Sequence, residues 1–177
     1  MPRTHCWTVT DGSTSHHLAI RHSVFVAEQG LMTMTDVDDW DRNSATIHVL
    51  AARGDEIAGT VRLYHLGDGR WKGDRLAVVK GHRISSVGAD LVRYAVATAS
   101  AAGGIEMEAS VQARNAPFFE RLGWTRDGEV GPYFGMPHQP MLISLSNVVP
   151  IAPQPSTEAV LRLQTDDMSA NPLLICA

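Results

Sequence analysis

The sequence predicts a single mixed α/β domain with helices on both faces of its sheet. Three observations carry this. The chain has 177 residues, 44% hydrophobic and 19% charged, which supplies one sizeable core and not two. Segments of helical period alternate with runs of β-branched residues. Prolines 150, 153, 155 and 172 cluster in PIAPQPSTE and beyond, and close the compact part near residue 148. Residues 1–148 thus read as the domain and 149–177 as a proline-rich tail. The sequence leaves the tail three fates: packing on the domain, pairing with a second copy as a homodimer, or staying mobile.

The elements follow in order. In HHLAIRHSVFVAEQG the residues Leu18, Ile20, Val24, Phe25 and Val26 recur near helical spacing, with Ser15 as N-cap and Gly30 as stop, so a helix is expected over 16–29. TIHVLAARGDEIAGTVRLYHLG reads as a hairpin turning at Arg53-Gly54-Asp55-Glu56, its strands at about 46–53 and 56–65. RLAVV at 75–79 is a third strand. In SSVGADLVRYAVATASAAGG, Leu91, Ala95 and Ala99 share a face with Val92 and Val96, giving a long amphipathic helix closed by Gly103 and Gly104. IEMEASVQ is a strand, APFFERLG a short helix stopped by Gly123, WTRDGEV a strand and MLISL the last strand. Helix, antiparallel strands, helix, strand, helix, strands is the order of a mixed sheet covered on both sides.

Composition removes whole classes of function. With 15 Lys plus Arg against 19 Asp plus Glu the net charge is −4, which provides no footprint for a nucleic-acid backbone. There is no apolar run of bilayer length and no signal-like N-terminus, so no membrane partner and a cytoplasmic location are expected. Cys6 and Cys176 form no CxxC pair and read as reduced thiols.

The junction RLAVVKGHRISSVGADL is where chemistry concentrates. A strand that runs through a loop into a long helix presents free backbone N–H groups and a positive helix end to a phosphate. His82 and Arg83 add donors beside the amides of Ser85, Ser86, Val87 and Gly88. The same loop also reads as an ordinary connection in which Ser85 or Ser86 is an N-cap.

From RLAV through the long helix to VQARNAPFFERLGW the chain resembles the GCN5-related N-acetyltransferase (GNAT) superfamily, over about residues 16–146. The resemblance implies a GNAT-like, mostly antiparallel central sheet, and acetyl-CoA or another acyl-CoA as co-substrate with no metal. Leu76, Ala77 and Val78 match the strand that offers backbone groups to the pantetheine arm. Arg83 and Gly88 match the pyrophosphate loop R/Q-x-x-G-x-G/A, whose first glycine is replaced by Ser86, while Ile84 stands where many relatives carry another glycine. FFERLGW at 118–124 is similar to the family's FYEKLGF, with Phe119 in place of a tyrosine that protonates the departing thiolate. Gln112 stands where an asparagine often faces the cofactor, and Asn115 lies nearby.

The N-terminal part resembles the ElaA-like branch and acyl-homoserine-lactone synthases, and the whole combination resembles bacterial acetyltransferases associated with nitrilase clusters. Asp36, Asp38 and Asp41 reproduce the synthase spacing E-x-D-x-x-D. Trp71 and Arg75 match W-E-x-S-R, but its glutamate is Lys72 here, so synthase activity is not supported. GMPH at 135–138 is similar to the GIPH of ElaA-like proteins. The acidic group at 36–41 reads as an amine receptor, a partner for Arg75, or a solvated loop. Its spacing with His16 or His17 fits no calcium loop.

Amine acylation needs a base. Glu28, Asp38, Glu108 and His138 are candidates, with Arg75 ordering the acceptor side. His138, flanked by prolines, reads more simply as a loop residue with local hydrogen bonds, and His16, His17 and His22 as solvent-facing or at the substrate rim. The expected function is transfer of an acyl group from coenzyme A to an amine of a small molecule by direct attack in a ternary complex. The alternatives are a degenerate domain that binds acyl-CoA without catalysis, and an interaction subunit.

Overall fold

The computed structural model describes residues 3–9 and 15–151; residues 152–177, with Cys176 and most of the tail, lie outside the described residues. Eight strands form one sheet: β1 (Thr4–Thr8), β2 (Ile47–Arg53), β3 (Glu56–Gly67), β4 (Arg70–Val78), β5 (Glu106–Gln112), β6 (Thr125–Arg126), β7 (Gly131–Tyr133) and β8 (Met136–Ser144). Its order is β1-β2-β3-β4-β5-β8-β6, with β7 on β8, and every pairing is antiparallel except β4 with β5. Helices α1 (His16–Arg21), α2 (Val87–Ala101) and α3 (Ala116–Glu120) complete the fold.

Adjacent residues of a strand point to opposite faces, and two separate cores follow. Val49, Ala51, Val61, Leu63, Met107 and Val111 pack with Val87, Leu91 and Val92 of α2 and Phe119 of α3. Leu50 and Ala52 turn the other way, onto Trp7 and Ile20 of α1. A Cβ on Gly59 would stand 2.9 Å from the Ala77 carbonyl oxygen and from Leu91, so α2 lies directly on the sheet at this glycine.

The parallel pair is short. Arg70, Trp71 and Lys72 face Glu106, Met107 and Glu108, and there the pairing stops. Beyond it β4 continues on β3 and β5 continues on β8, so the two strands splay apart. In the same stretch β4 carries a bulge: Thr60 faces Ala77 but Arg62 faces Asp74, and Arg75 takes φ +51°, a left-handed conformation uncommon outside glycine.

A charged network fixes this region. Arg21, 1% exposed, donates to Asp36 at 2.5 Å and to Asp41 at 2.6 and 3.0 Å. Arg62, equally buried, donates to Asp38 at 2.6 and 2.8 Å and to Asp74 at 2.7 Å through both Nε and Nη2. Arg75 donates from Nη2 to Asp38 at 3.1 Å, and its Nε stands 3.4 Å from the Asp36 carboxylate. The Asp36–Asp41 segment is closed on itself as well, since Trp40 N–H donates to the Asp38 carboxylate and Asp38 N–H to that of Asp41.

Several expectations are corrected. The 75–79 strand starts at Arg70, because pairing with β3 overrides the weak strand propensity of Gly73 and Asp74; a Cβ on Gly73 would lie 2.7 Å from Met107 Cε. WTRDGEV is strand only at Thr125–Arg126, where β6 pairs with β8; the chain turns at Gly128, φ +103°, and β7 begins after the segment, at Gly131. MLISL belongs to a longer β8 that runs through Pro137 and Pro140; proline keeps its carbonyl, and that of Pro140 accepts from Asp127 N–H. β1 was not foreseen. The 16–29 helix is α-helical only to Arg21 and becomes a π-helix over His22–Glu28. His22 is exposed as expected, but His16 is buried and His17 lies tilted against His48, with ring centroids 4.4 Å apart. Asp36 is 3% exposed rather than part of a solvated loop. Just past residue 148, Ile151 N–H donates to the Ala97 carbonyl of α2.

Replacing Arg75 tests both its ion pairs and its backbone. Arg75→Ala leaves Asp38 and Asp36 each with one arginine fewer and is expected to cost about 2–3 kcal/mol. Arg75→Gly loses the same contacts but relieves the left-handed strain, so it is expected to be more stable than the alanine variant by about 1 kcal/mol. Urea unfolding reads the order; alanine above glycine, the usual ranking in a strand, would refute the strained bulge.

Candidate active site

The splay between β4 and β5 opens into a cavity of about 350 Å³. One wall is β4 from Lys72 to Leu76, the other β5 from Ala109 to Gln112, and Val92 and Ala95 of α2 lie beneath. Asn115, Phe119 and Trp124 close the side toward α3. Phe25, Leu31, Met32 and Trp40 cover it from the α1 side, and Tyr133, Phe134 and His138 from β7 and β8. Trp40 is held flat on Tyr64 at 3.9 Å between ring centroids, and Arg62 lies 5.5 Å over the same tyrosine ring.

The π-helix ends over this opening. Glu28 accepts two bonds from Arg83, at 2.5 and 2.7 Å, and Gln29 Oε1 accepts from Gln112 Nε2 at 2.9 Å. The helix end is thereby tied to both arms of the splay. The Arg83 charge and hydrogen bonds hold the Glu28 carboxyl below the usual carboxylate range. Gln112 Oε1 is buried with no hydrogen-bond partner, an acceptor left without a donor.

Of the residues expected to act on the acceptor, Asp38 and Arg75 line the cavity, whereas Glu28 and Glu108 are not part of its wall. Glu108 faces Lys72 across the parallel pair and accepts from its Nζ at 3.0 Å, with Arg70 at 3.5 Å. Burial disfavours the Asp38 carboxylate, but the Arg62 hydrogen bonds and the charges of Arg62 and Arg75 outweigh it and keep its pKa low. Asp41 follows the same balance, with Arg21 as its main partner. These aspartates are anions already neutralised by arginine.

Of the residues expected to meet the cofactor, Leu76, Gln112, Asn115 and Phe119 line the cavity. Ala77 and Val78 continue β4, and a 3₁₀ turn, Lys80–His82, leads to Ser85 and α2. Ser85 Oγ accepts from Val87 N–H, while Ser86 makes no side-chain cap and instead meets Thr4 Oγ1 at 3.0 Å. His82 pairs with Glu56 at 2.9 Å, and Ile84 is fully exposed. Gly88 opens α2 without a positive φ, and a Cβ there would find only ordinary contacts at 3.6 Å. Neither backbone conformation nor close packing requires glycine at 88, since the two contacts a Cβ would meet are the side chains of Phe118 and Val78.

His138 is not a loop residue. It sits in β8 opposite Gln112, is 8% exposed, and its Nδ1 is 2.9 Å from the Met136 carbonyl oxygen. The aromatic and aliphatic cover, above all Phe25, Met32, Trp40, Tyr64 and Phe134, was not anticipated, because only tertiary folding brings it to one opening. Arg53 was also missed; its Nη1 donates to Ser86 Oγ at 3.4 Å, across 33 residues of sequence. Burial and the charge of Asp90 push the Cys6 thiol up to about 12, which disfavours its thiolate. Among the described residues no group of three or more His, Cys, Asp or Glu is placed to hold a metal, and no helix is long and apolar enough to cross a membrane.

An open sheet whose two parallel strands part over a cavity, with a strand-to-helix loop at one end of the cleft, is the architecture of coenzyme A-dependent acyltransferases. The Acetyltransferase (GNAT) family model matches residues 16–124, and the chain belongs to that family. The uncharacterized N-acetyltransferase YjcF of Bacillus subtilis is 27% identical over 105 residues, covering 59% of this chain and 73% of that protein. The crystal structure of Escherichia coli ElaA superposes with a TM-score of 0.68 at 24% identity, over 80% of this chain and 99% of that one. A CoA-dependent acyl-homoserine lactone synthase, BjaI, solved with SAM and isopentyl-CoA, superposes with a TM-score of 0.67 at 17% identity, over 92% of this chain and all of that one. The protein is an acyl-CoA-dependent N-acyltransferase.

Acid should destabilise this site in a defined window. Burial first, then the charges of His48 and Arg21, push His17 down to about 3. His48 is pushed down to about 4 by burial, with Asp41 opposing and Arg21 and Arg62 assisting. The unfolded chain protonates both near pH 6.5 and the folded chain only at about 4 or below, so the unfolded state binds more protons between these limits. Stability is therefore level above about pH 7.5 and falls as pH drops from 6.5 toward 4, by about 1–2 kcal/mol per pH unit. Urea unfolding at pH 7.5, 6 and 5 measures this, and the double variant His17→Gln, His48→Gln should flatten the slope. A wild-type curve flat over this window would show that the pair is not held neutral.

Proposed function

We propose that the protein moves an acyl group, acetyl in the simplest case, from coenzyme A to an amine of a small molecule by direct attack within a ternary complex. The observation that carries this is the splay. From Gly73 to Val78 the β5-facing edge of β4 pairs with no strand; the Val78 carbonyl accepts from Arg83 Nε, and the edge before it leaves backbone groups for the amides of a pantetheine arm. Gln112 Oε1 is a buried acceptor at the opposite arm, ready for a ligand N–H.

The pyrophosphate is assigned to the start of α2, where the first N–H groups of a helix have no partner within it and the dipole is positive. Arg83 and His82 supply side-chain donors, and the amides of Ile84, Ser86 and Gly88 line the approach together with those of Ser85 and Val87, which in the chain alone donate to His82 O and Ser85 Oγ. Leu76, Ala77 and Val78 hold the arm, with Gln112, Asn115 and Phe119 around the thioester. Glu28 acts as a positioning residue for Arg83, and Asp38, Arg75 and Glu108 position the acceptor wall through their ion pairs. The apolar cover formed by Phe25, Leu31, Met32 and Trp40 favours an acceptor with hydrophobic or aromatic character.

Two substitutions test this reading. Gly88→Ala adds a methyl that the fold accommodates and improves helix propensity, so stability is expected to rise by about 0.5–1 kcal/mol. The same methyl intrudes on the phosphate, so calorimetric affinity for CoA is expected to fall about tenfold; an unchanged affinity would remove the assignment. Phe119 has no proton for a departing thiolate, and its ring packs edge-on to Trp124 at 5.6 Å. Phe119→Tyr is expected to keep or raise acyl-CoA-dependent thiol release. A loss with normal folding would assign the apolar ring to shaping the acyl pocket, and wild-type protein that binds acyl-CoA but releases no thiol would favour a non-catalytic domain.

A further inference from the structure

Resting on the acyltransferase reading, we propose that His138 is the catalytic base that takes the proton from the attacking amine. A peptide carbonyl only accepts hydrogen bonds, so the 2.9 Å contact with Met136 O places the proton of the neutral imidazole on Nδ1. Nε2 is then left with its lone pair. The ring is fixed twice over, by that bond and by Tyr133, whose ring meets it edge-on at 5.1 Å. It lines the cavity beside the thioester end, directly across from Gln112 on β5.

The other titratable groups of the cavity wall are committed elsewhere. Asp38 and Asp74 are each held by Arg62, Lys72 is a cation on Glu108, and the Tyr64 hydroxyl donates to Asp74. Arg75 is a cation, and the phenol of Tyr133 is a donor rather than a basic nitrogen. A lone pair on a positioned imidazole in the cavity wall is the chemistry that acylation of an amine requires. In the step, the amine nitrogen bonds to the thioester carbonyl carbon and its proton passes to Nε2. The C–S bond breaks, the thiolate leaves with that electron pair and takes a proton from solvent, and the imidazolium returns its proton to solvent.

Bromoacetyl-CoA tests the placement without any knowledge of the acceptor. If Nε2 is unprotonated and faces the acyl carbon, its lone pair displaces bromide, forming a C–N bond as the C–Br bond breaks. The expected result is one equivalent of label mapped by peptide mass spectrometry to His138 and suppressed by excess CoA. His138→Asn keeps an N–H for Met136 O but lacks the nucleophile; it should bind CoA within about twofold of wild type by calorimetry and remain unlabelled. Wild-type protein that binds bromoacetyl-CoA yet stays unlabelled, or is labelled at Cys6 or elsewhere, overturns the assignment while leaving the acyltransferase reading intact. Wild-type protein that binds neither CoA nor bromoacetyl-CoA overturns both.

Discussion

Three arginines, Arg21 and Arg62 of them buried, set among four aspartates govern this protein. Arg21, Arg62 and Arg75 come from α1, β3 and β4, and Asp36, Asp38, Asp41 and Asp74 from the acidic segment and β4. A guanidinium this deep is tolerable only when its donors are met by carboxylates, and removing one partner strands the other. The network therefore admits one arrangement of α1 and the acidic segment over the sheet. That arrangement sets Trp40 on Tyr64 and hangs the π-helix over the splay, so the cavity exists because the charges have nowhere else to be satisfied.

Two local irregularities convert that scaffold into a site. The bulge at Arg75 turns β4 where its pairing with β5 has just ended, leaving backbone groups aimed into the gap. The π-helix at His22–Glu28 places Glu28 and Gln29 within reach of Arg83 and Gln112, a geometry often found at functional positions. Both features weaken local regularity; the bulge is held by the pairs of Arg75 with Asp38 and Asp36, and the end of the π-helix by Glu28 on Arg83 and Gln29 on Gln112.

The departures from the family pattern have physical counterparts in the structure. Lys72, where the synthases carry glutamate, is complemented by Glu108 directly across the parallel pair, so the cross-strand pair is an ion pair rather than a like-charge clash. Phe119 gives up a hydroxyl and gains edge-on packing between Phe118 and Trp124. Ser86, in place of glycine, directs its hydroxyl to Thr4 and Arg53 at the ends of β1 and β2, away from the axis of α2.

The sequence by itself determined the family, the mixed sheet, the hairpin of β2 and β3 and the extent of α2, since these rest on local periodicity, turn residues and contiguous motifs. The resemblance to the synthases also offered Arg75 as one partner for the acidic segment, beside an amine or solvent. It could not show that Arg21 and Arg62 complete that cluster, because burial of a charge depends on partners 12 to 24 residues away in sequence. β1 and the proline-containing β8 were hidden for a related reason: their strand conformation comes from pairing with neighbours, not from propensity. His138 reads as a loop histidine between prolines until β8 pairs with β5. Only the tertiary structure decides that it lines the cavity with Nδ1 held on a carbonyl, because that outcome requires two strands, a carbonyl and an aromatic ring to meet at one point.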